Sequence, residues 1–317
     1  MSELFLGVDG GQSSTTAVIG DASGRIVGWG SAGPCNHVGA HEGRSKFLRV
    51  ISECLSEAAL RAGIDSSRPH FRAACFGMSG GPQDKAALLG QLLEADHLVV
   101  THDALIALSG AMAGGPGLIV IAGTGSISFG RNQQGETARA GGWGYIFGDE
   151  GGGFDIVRQS LRAILREHEG WGPRTALTPA LLEAAGAAEA NNLLHRFYTA
   201  EWPRSRVAEL AKLVNRIAEE GDPIAREILE TAAQQLAMLS ASVRRQLWKE
   251  GDPVEVSYIG GVFRSPILHN RFQRLIECID HVTCHAPLHS PAIGALFEAY
   301  RAAGLAVKIG STPPMKT

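Results

Sequence analysis

The chain has 317 residues, 44% of them hydrophobic, with 29 Lys and Arg against 32 Asp and Glu and a formal net charge of −3. That length exceeds what one core fills, since single cores stop growing at roughly 250–300 residues, so two domains are expected. The charge supplies no basic field for nucleic acid or an anionic membrane, and no run approaches the ~18 apolar residues of a membrane span. The first eleven residues lack the basic and apolar regions of a secretory leader, and a cytoplasmic place is expected. The five cysteines (Cys35, Cys54, Cys75, Cys278, Cys284) are scattered without metal-ligand spacing and read as reduced, mostly buried thiols. Glycine is the outlier, at 40 residues, and its clusters fall where predicted strands stop.

In chain order, 4–9, 15–20 and 25–31 read as three strands with tight connections, a meander that opens a sheet. Residues 40–62 carry an apolar stripe of helical period through Phe47, Val50, Ile51, Cys54, Leu55, Ala58 and Ala59, with Gly63 as the closing residue. Short apolar runs at 71–76 and 98–101 flank a helical stretch near 82–94, and a further helix covers 104–113. Gly114-Gly-Pro-Gly117 then breaks the chain. A second meander follows at 118–122, 127–131 and 136–140. Helices dominate 152–249, and the chain continues with a strand at 254–259 and helices at 266–279 and 291–303. Strands alternating with helices in two similar halves imply an α/β chain with mixed sheets. The expected domains are 1–114 with a helix at about 291–305 packing back, 115–290, and a tail at 306–317.

Three motifs could carry chemistry. In the first, an apolar strand delivers Asp9 and then Gly10, Gly11, Gln12, Ser13, Ser14 and Thr15 before a second strand. Glycines let backbone N–H groups approach phosphate oxygens, hydroxyls add donors, and a carboxylate ending the strand suits Mg²⁺. Alone, this is an ordinary hairpin turn. Gly123, Thr124, Gly125 and Ser126 repeat the logic at the same place in the second meander, and the pair suggests two facing loops on one polyphosphate. The third, Gly260-Gly261, ends another strand and offers a bare backbone edge to a flat ligand. Its other reading is a turn requiring positive φ.

In this order the three motifs resemble the phosphate 1, phosphate 2 and adenosine motifs of the sugar kinase, heat-shock protein and actin superfamily. The resemblance implies ATP and Mg²⁺, a duplicated actin-like ATPase (ribonuclease H-like) fold with two domains around a cleft, and hinge helices near 103–113 and 291–300. More closely, the chain is similar over nearly its whole length to the N-acetylglucosamine kinase branch of the BadF/BadG/BcrA/BcrD-type ATPases. The residues that carry this are Cys35-Asn36-His37, Ser79-Gly80-Gly81, Thr101-His102-Asp103-Ala104, Gly141-Gly142-Trp143-Gly144 and Gly148-Asp149-Glu150-Gly151.

By resemblance Asp103 is the catalytic base and a substrate contact. Read from its neighbours alone, it is a helix N-cap. Asn36, Ser79, Gly80, Gly142, Trp143, Gly144 and Asp149 are the implied sugar contacts, while Pro82 stands where such kinases often carry an acidic residue. The implied reaction phosphorylates the 6-hydroxyl of N-acetyl-D-glucosamine in a homodimer, with N-acetylmuramic acid or glucosamine as alternative acceptors. Activator subunits of dehydratases and reductases share the ATPase core and form the other class considered, although no paired cysteines beside the glycine-rich turns suggest a cluster.

Overall fold

The computed structural model describes residues 3–11, 13–35, 40–78 and 85–310. Its elements in chain order begin with β1 (Leu4–Gly10), β2 (Thr15–Asp21), β3 (Ile26–Ala32), α1 (Ala40–Ala62), β4 (His70–Met78), α2 (Lys85–Leu89), β5 (Glu94–Thr101) and α3 (Asp103–Ala111). There follow β6 (Gly117–Ala122), β7 (Ser126–Arg131), β8 (Thr137–Gly141), α4 (Gly153–His168), α5 (Leu177–Ala185), α6 (Ala190–Phe197), α7 (Arg204–Glu209), α8 (Ala211–Glu219) and α9 (Pro223–Leu247). The last are β9 (Val254–Ile259), α10 (Pro266–Glu277), β10 (Val282–His285) and α11 (Pro291–Ala302).

Two compact units result. One takes the described residues through Gly117 and from Ala286 onward, and the other takes Leu118–His285. Their sheets have one plan, β3-β2-β1-β4-β5 and β8-β7-β6-β9-β10. In the first, β1, β2 and β3 form the antiparallel meander while β4 and β5 continue parallel to β1. In the second, β9 runs parallel to β6, and β10 parallel to β9. This is the duplicated α/β fold of the actin-like ATPases.

Unit 1 is a three-layer sandwich. The apolar stripe of α1 (Phe47, Val50, Ile51, Cys54, Leu55, Ala58) buries one sheet face with Leu6, Val8, Phe71 and Phe76. Helix α1 then closes as its period predicts: Gly63 sits at φ 68°, and the Ile64 N–H reaches back 3.1 Å to the Ala59 carbonyl. The other face packs Phe5, Val18, Ala73 and Cys75 against Ile106 of α3 and Leu296, Phe297 and Tyr300 of α11.

Helices α3 and α11 meet backbone to backbone. A Cβ on Gly294 would collide with the Ile106 carbonyl oxygen and the Gly110 nitrogen. Unit 2 has its own core, in which Leu118, Val120 and Val256 of the sheet pack with Ile156, Val157, Leu229, Leu236 and Phe272 of the helices.

Two elements differ from the sequence reading. The helix predicted near 82–94 is confined, within the described residues, to the five-residue α2, because Leu92 and Leu93 fold back onto the Leu89 carbonyl and β5 already starts at Glu94. Strand β10, four residues beside β9, carries too little alternation to have been seen. Among the described residues no helix is long and apolar enough to cross a membrane.

Gly294→Ala should destabilise the protein by about 3 kcal/mol, the upper range for overpacking, because its neighbours are main-chain atoms that have no rotamer to yield. Denaturant or thermal unfolding measures this, and an unchanged midpoint would mean that the two helices do not touch.

Candidate active site

In unit 1 the parallel register aligns Asp9 of β1 with Gly77 of β4, and Gly77 with Thr101 of β5. Asp9 and the residues just past Thr101 therefore reach the same carboxyl edge of the sheet, where open α/β sheets bind ligands. Asp103 opens α3 there, its carboxylate exposed and its Oδ1 accepting the adjacent Ala104 N–H at 2.8 Å. It is not the cap: the imidazole Nδ1 of His102 accepts the Leu105 N–H at 3.2 Å in that role.

Asp9 is half-buried, and its pKa is raised from 3.8 to about 6, first by burial and second by the Asp103 charge. Two carboxylates facing one edge suit a hard, oxygen-seeking ion. Among the described residues no group of three His, Cys, Asp or Glu side chains could cage a metal. One carboxylate with phosphate oxygens and water completing the shell is the usual arrangement for Mg²⁺, and Asp9 fits it.

The first glycine turn is tighter than its sequence suggests. The Gly11 N–H is taken by the Ser14 carbonyl at 3.0 Å, and the buried Thr15 hydroxyl donates to the Gly33 carbonyl at 2.9 Å. Ser13 and Ser14 are the exposed hydroxyls of the turn. Gly10 faces inward, where a Cβ would lie 2.9 Å from Cys35 Sγ. Burial pushes the Cys35 thiol up, so it stays neutral.

In unit 2 the second turn docks on the start of α4. The free N–H groups of Gly153 and Phe154 donate to the Gly123 and Thr124 carbonyls at 2.8 and 3.0 Å, which fixes the turn with donors a helix start leaves unpaired. The buried Ser126 hydroxyl turns inward and donates to the Glu150 carbonyl at 2.6 Å. The Thr124 hydroxyl is left as the half-exposed one beside Gly123 and Gly125. Gly260, at φ 120°, passes so close to Ala122 that a Cβ would strike its carbonyl oxygen. The third motif thus lies alongside the second, and Gly261 is exposed with open space over it.

The segment between β8 and α4 carries the remaining predicted contacts. Gly142 and Trp143 are exposed and Gly144 half-exposed, with the Arg139 guanidinium 4.7 Å from the Trp143 ring centre. Asp149 is buried in a left-handed conformation, φ 65°. Its carboxylate presses on Gly125, where a Cβ would not fit, and pairs with Arg204 Nη2 at 3.0 Å. Arg204, which opens α7 and covers the Tyr145 ring at 4.5 Å, belongs to no motif, and sequence reasoning missed it. The structure thus gathers Asp9, Gly10, Gly11, Ser13, Ser14, Thr15 and Asp103 at one sheet edge in unit 1. In unit 2 it gathers Gly123 to Ser126, Gly260, Gly261 and Asp149. Gln12, Asn36, Ser79 and Gly80 lie outside the described residues.

A nucleotide-binding fold with glycine turns at the carboxyl edges of two like sheets defines the class of actin-like ATPases. The profile of the BadF/BadG/BcrA/BcrD ATPase family matches residues 6–299, and the chain belongs to that family. Two characterised relatives align over most of their length. One is the N-acetyl-D-glucosamine kinase of Dictyostelium discoideum, 31% identical over 94% of this chain and 98% of its own. The other is the N-acetylmuramic acid/N-acetylglucosamine kinase of Clostridium acetobutylicum, 30% identical over 87% of this chain and 90% of its own. A crystal structure from Chromobacterium violaceum, provisionally named an N-acetylglucosamine kinase, superposes with a TM-score of 0.74 at 25% identity, covering 93% of this chain and 98% of that one.

The folded, metal-free protein holds the Asp9 proton up to about pH 6, whereas the unfolded chain releases it near 3.8. Between those values the unfolded state binds fewer protons, so stability falls as pH rises and the loss is complete above the folded pKa. Asp9→Asn removes the penalty, roughly 2–3 kcal/mol at full ionisation. In chelator at pH 8 the variant should unfold at higher temperature than the parent, and near pH 4 the two should coincide; an equal gap at both pH values would remove Asp9 as the cause.

Proposed function

We propose that the chain is an ATP-dependent kinase that phosphorylates the 6-hydroxyl of N-acetyl-D-glucosamine. The observation that carries this reading is the exposed Asp103 carboxylate at the sheet edge, relieved of capping duty by His102 and sharing that edge with Asp9. Phosphoryl transfer needs alignment and charge neutralisation more than a strong base, and a fixed carboxylate at the first turn of a helix supplies the alignment. Asp103 accepts the proton of the sugar hydroxyl as its oxygen bonds to the γ-phosphorus and the bond to ADP breaks. The exposed Ser13, Ser14 and Thr124 hydroxyls and the glycine N–H groups around them hold the phosphates, and Gly260-Gly261 takes the adenine face. Asp9 would hold Mg²⁺, which neutralises charge on the polyphosphate when bound. Gly142, Trp143, Gly144 and Asp149, with Asn36, Ser79 and Gly80, contact the sugar.

N-acetylmuramic acid is the second acceptor, favoured by Arg139, whose guanidinium beside Trp143 offers a cation for a lactyl carboxylate. The reading also includes a cytoplasmic homodimer. Five free cysteines suit a reducing compartment, and the exposed Ile146 and Phe147 offer apolar surface to a second copy.

The first experiment is ADP release with MgATP against N-acetylglucosamine, N-acetylmuramic acid, glucosamine, N-acetylmannosamine and glucose. Turnover confined to acetamido sugars supports the reading, and silence with every sugar sinks it. Asp103→Asn should lower kcat by roughly 10²–10⁴-fold, the usual contribution of a general base, whereas full activity would take the role from Asp103. Thr124→Val keeps the side-chain size and deletes the half-exposed hydroxyl, so it should weaken calorimetric ATP affinity about tenfold, the equivalent of one hydrogen bond to a charged group. Unchanged affinity would count against that turn.

A further inference from the structure

Arg204 lies far along the chain from the segment between β8 and α4, yet its guanidinium reaches into that segment. It is the first residue of α7, a place where the helix dipole disfavours a cation. Its exposed side chain is held on two sides. Nη2 donates to Asp149 Oδ2 at 3.0 Å, and the guanidinium lies 4.5 Å from the centre of the Tyr145 ring and 5.8 Å from that of Phe154. The Tyr145 platform is itself fixed from α4. Its carbonyl accepts Arg158 Nη1 at 2.9 Å, its ring meets Phe154 edge-on at 5.3 Å, and Arg158 is anchored on Asp155 at 2.7 Å.

Asp149 offers the other half of the arrangement. It is buried, its backbone is left-handed, and both its carboxylate oxygens occupy the room that a Cβ on Gly125 would need. The chain on either side of the carboxylate is pinned: the Asp149 carbonyl accepts the Gly152 N–H at 3.0 Å, and the Glu150 carbonyl accepts the Ser126 hydroxyl. Oδ2 is taken by Arg204, whereas Oδ1 has no partner among the described residues. A carboxylate oxygen left open in a buried group beside a glycine turn has acceptor capacity for a hydroxyl from outside the chain.

We propose that Arg204 is a positioning residue for the acceptor: by taking Oδ2 of Asp149 it presents Oδ1 to a hydroxyl of the sugar. The inference rests on the kinase reading given above, in which Asp149 contacts the sugar. Without the guanidinium, the Asp149 carboxylate would be a buried charge with no counter-ion and would rotate off Gly125 toward water. The sugar would then lose a charge-assisted hydrogen bond. The second glycine turn, which α4 holds through the Gly153 and Phe154 N–H groups, would keep its shape and its grip on the nucleotide.

The test introduces Arg204→Met and Arg204→Lys into the full-length protein, each with Asp149 intact and with Asp149→Asn, since asparagine also tolerates the left-handed backbone. Arg204→Met should raise the KM for the best amino sugar roughly tenfold, the loss of one hydrogen bond to a charged group. The KM for MgATP should stay within about twofold and kcat within about threefold, the pattern of lost uniform binding to the acceptor. The pair is joined by the hydrogen bond from Nη2, so Arg204→Lys, which keeps a charged donor, should recover most of the loss. In the Asp149→Asn background Arg204→Met should raise the sugar KM by less than about threefold, because the group on which it acts is gone. A raised KM for MgATP with the sugar KM intact would make Arg204 a support of the glycine turn and overturn the proposal. Equal losses for Met and Lys, or equal losses in both backgrounds, would also overturn it.

Thermal unfolding of the parent, Arg204→Met, Asp149→Asn and the double variant needs no turnover and separates the pairing from the kinase reading. If the parent chain phosphorylates no sugar, the kinase reading falls, but the pairing still predicts that the midpoint shift of Arg204→Met shrinks when Asp149 is already Asn. Additive shifts would refute the pairing. Turnover by the parent with an unmoved sugar KM in Arg204→Met would leave the kinase reading standing and sink the proposal.

Discussion

The close approach of α11 to α3 and to β1 governs the geometry of the first unit. Glycines at the contacts let main chain meet main chain, so the position of α11 is set by backbone rather than by side chains that could repack. Around this contact the fit is polar as well as apolar. Glu298 of α11, buried, receives the Ser109 hydroxyl of α3 and lies 3.5 Å from Arg301, while the Tyr300 hydroxyl donates to the Asp21 carbonyl at 2.8 Å. Helix α3 is thereby fixed at both ends, by α11 along its body and by His102 at its start. The residue that profits is Asp103, whose place on the first turn depends on a helix that cannot slide.

The two sheets solve one problem twice, with different local chemistry. Each ends a buried central strand in a glycine turn at its carboxyl edge, where water and ligand can reach the backbone. In unit 1 the turn is closed by its own Gly11 to Ser14 hydrogen bond, and in unit 2 the turn is held by the N–H groups of α4. Both arrangements commit one hydroxyl inward, Thr15 in the first and Ser126 in the second, so the turns are rigid before any ligand arrives. That preorganisation matters for an anion as highly charged as a nucleotide, because donors already in place need no reordering when it binds.

How much was legible in the sequence follows from the kind of signal involved. The strands and α1 were readable because apolar periodicity records burial, and the glycine turns that end β1 and β6 because glycine and hydroxyl residues recur at matching places in both halves. The start of α3 was read correctly as the place of Asp103, but the alternative that Asp103 caps the helix does not hold, because His102 is the cap. A histidine accepting a backbone N–H looks, in sequence, like any surface histidine. Arg204 escaped for a different reason. It is a lone cation whose partner, Asp149, lies 55 positions away along the chain, and only tertiary structure brings the charges together. The short α2 shows the remaining weakness: the apolar residues Leu92 and Leu93 prolong a helical pattern past the point where the chain must turn to enter β5.

The division of the chain also bears on how the molecule is made. The second unit is continuous, from Leu118 to His285, and holds all the residues of its own core. The first is not: Phe5, Val18 and Ala73 are covered by Ile106 of α3 together with Leu296, Phe297 and Tyr300 of α11, which leave the ribosome near the end of synthesis. Synthesis usually lets the amino-terminal domain fold first. Here the half that starts the chain lacks part of its core until its last helix is made, whereas the half behind it is complete in sequence by His285. Through that interval part of an apolar sheet face stays open to chaperones and proteases, and a message truncated before codon 291 yields a first unit that lacks α11 and its half of that packing.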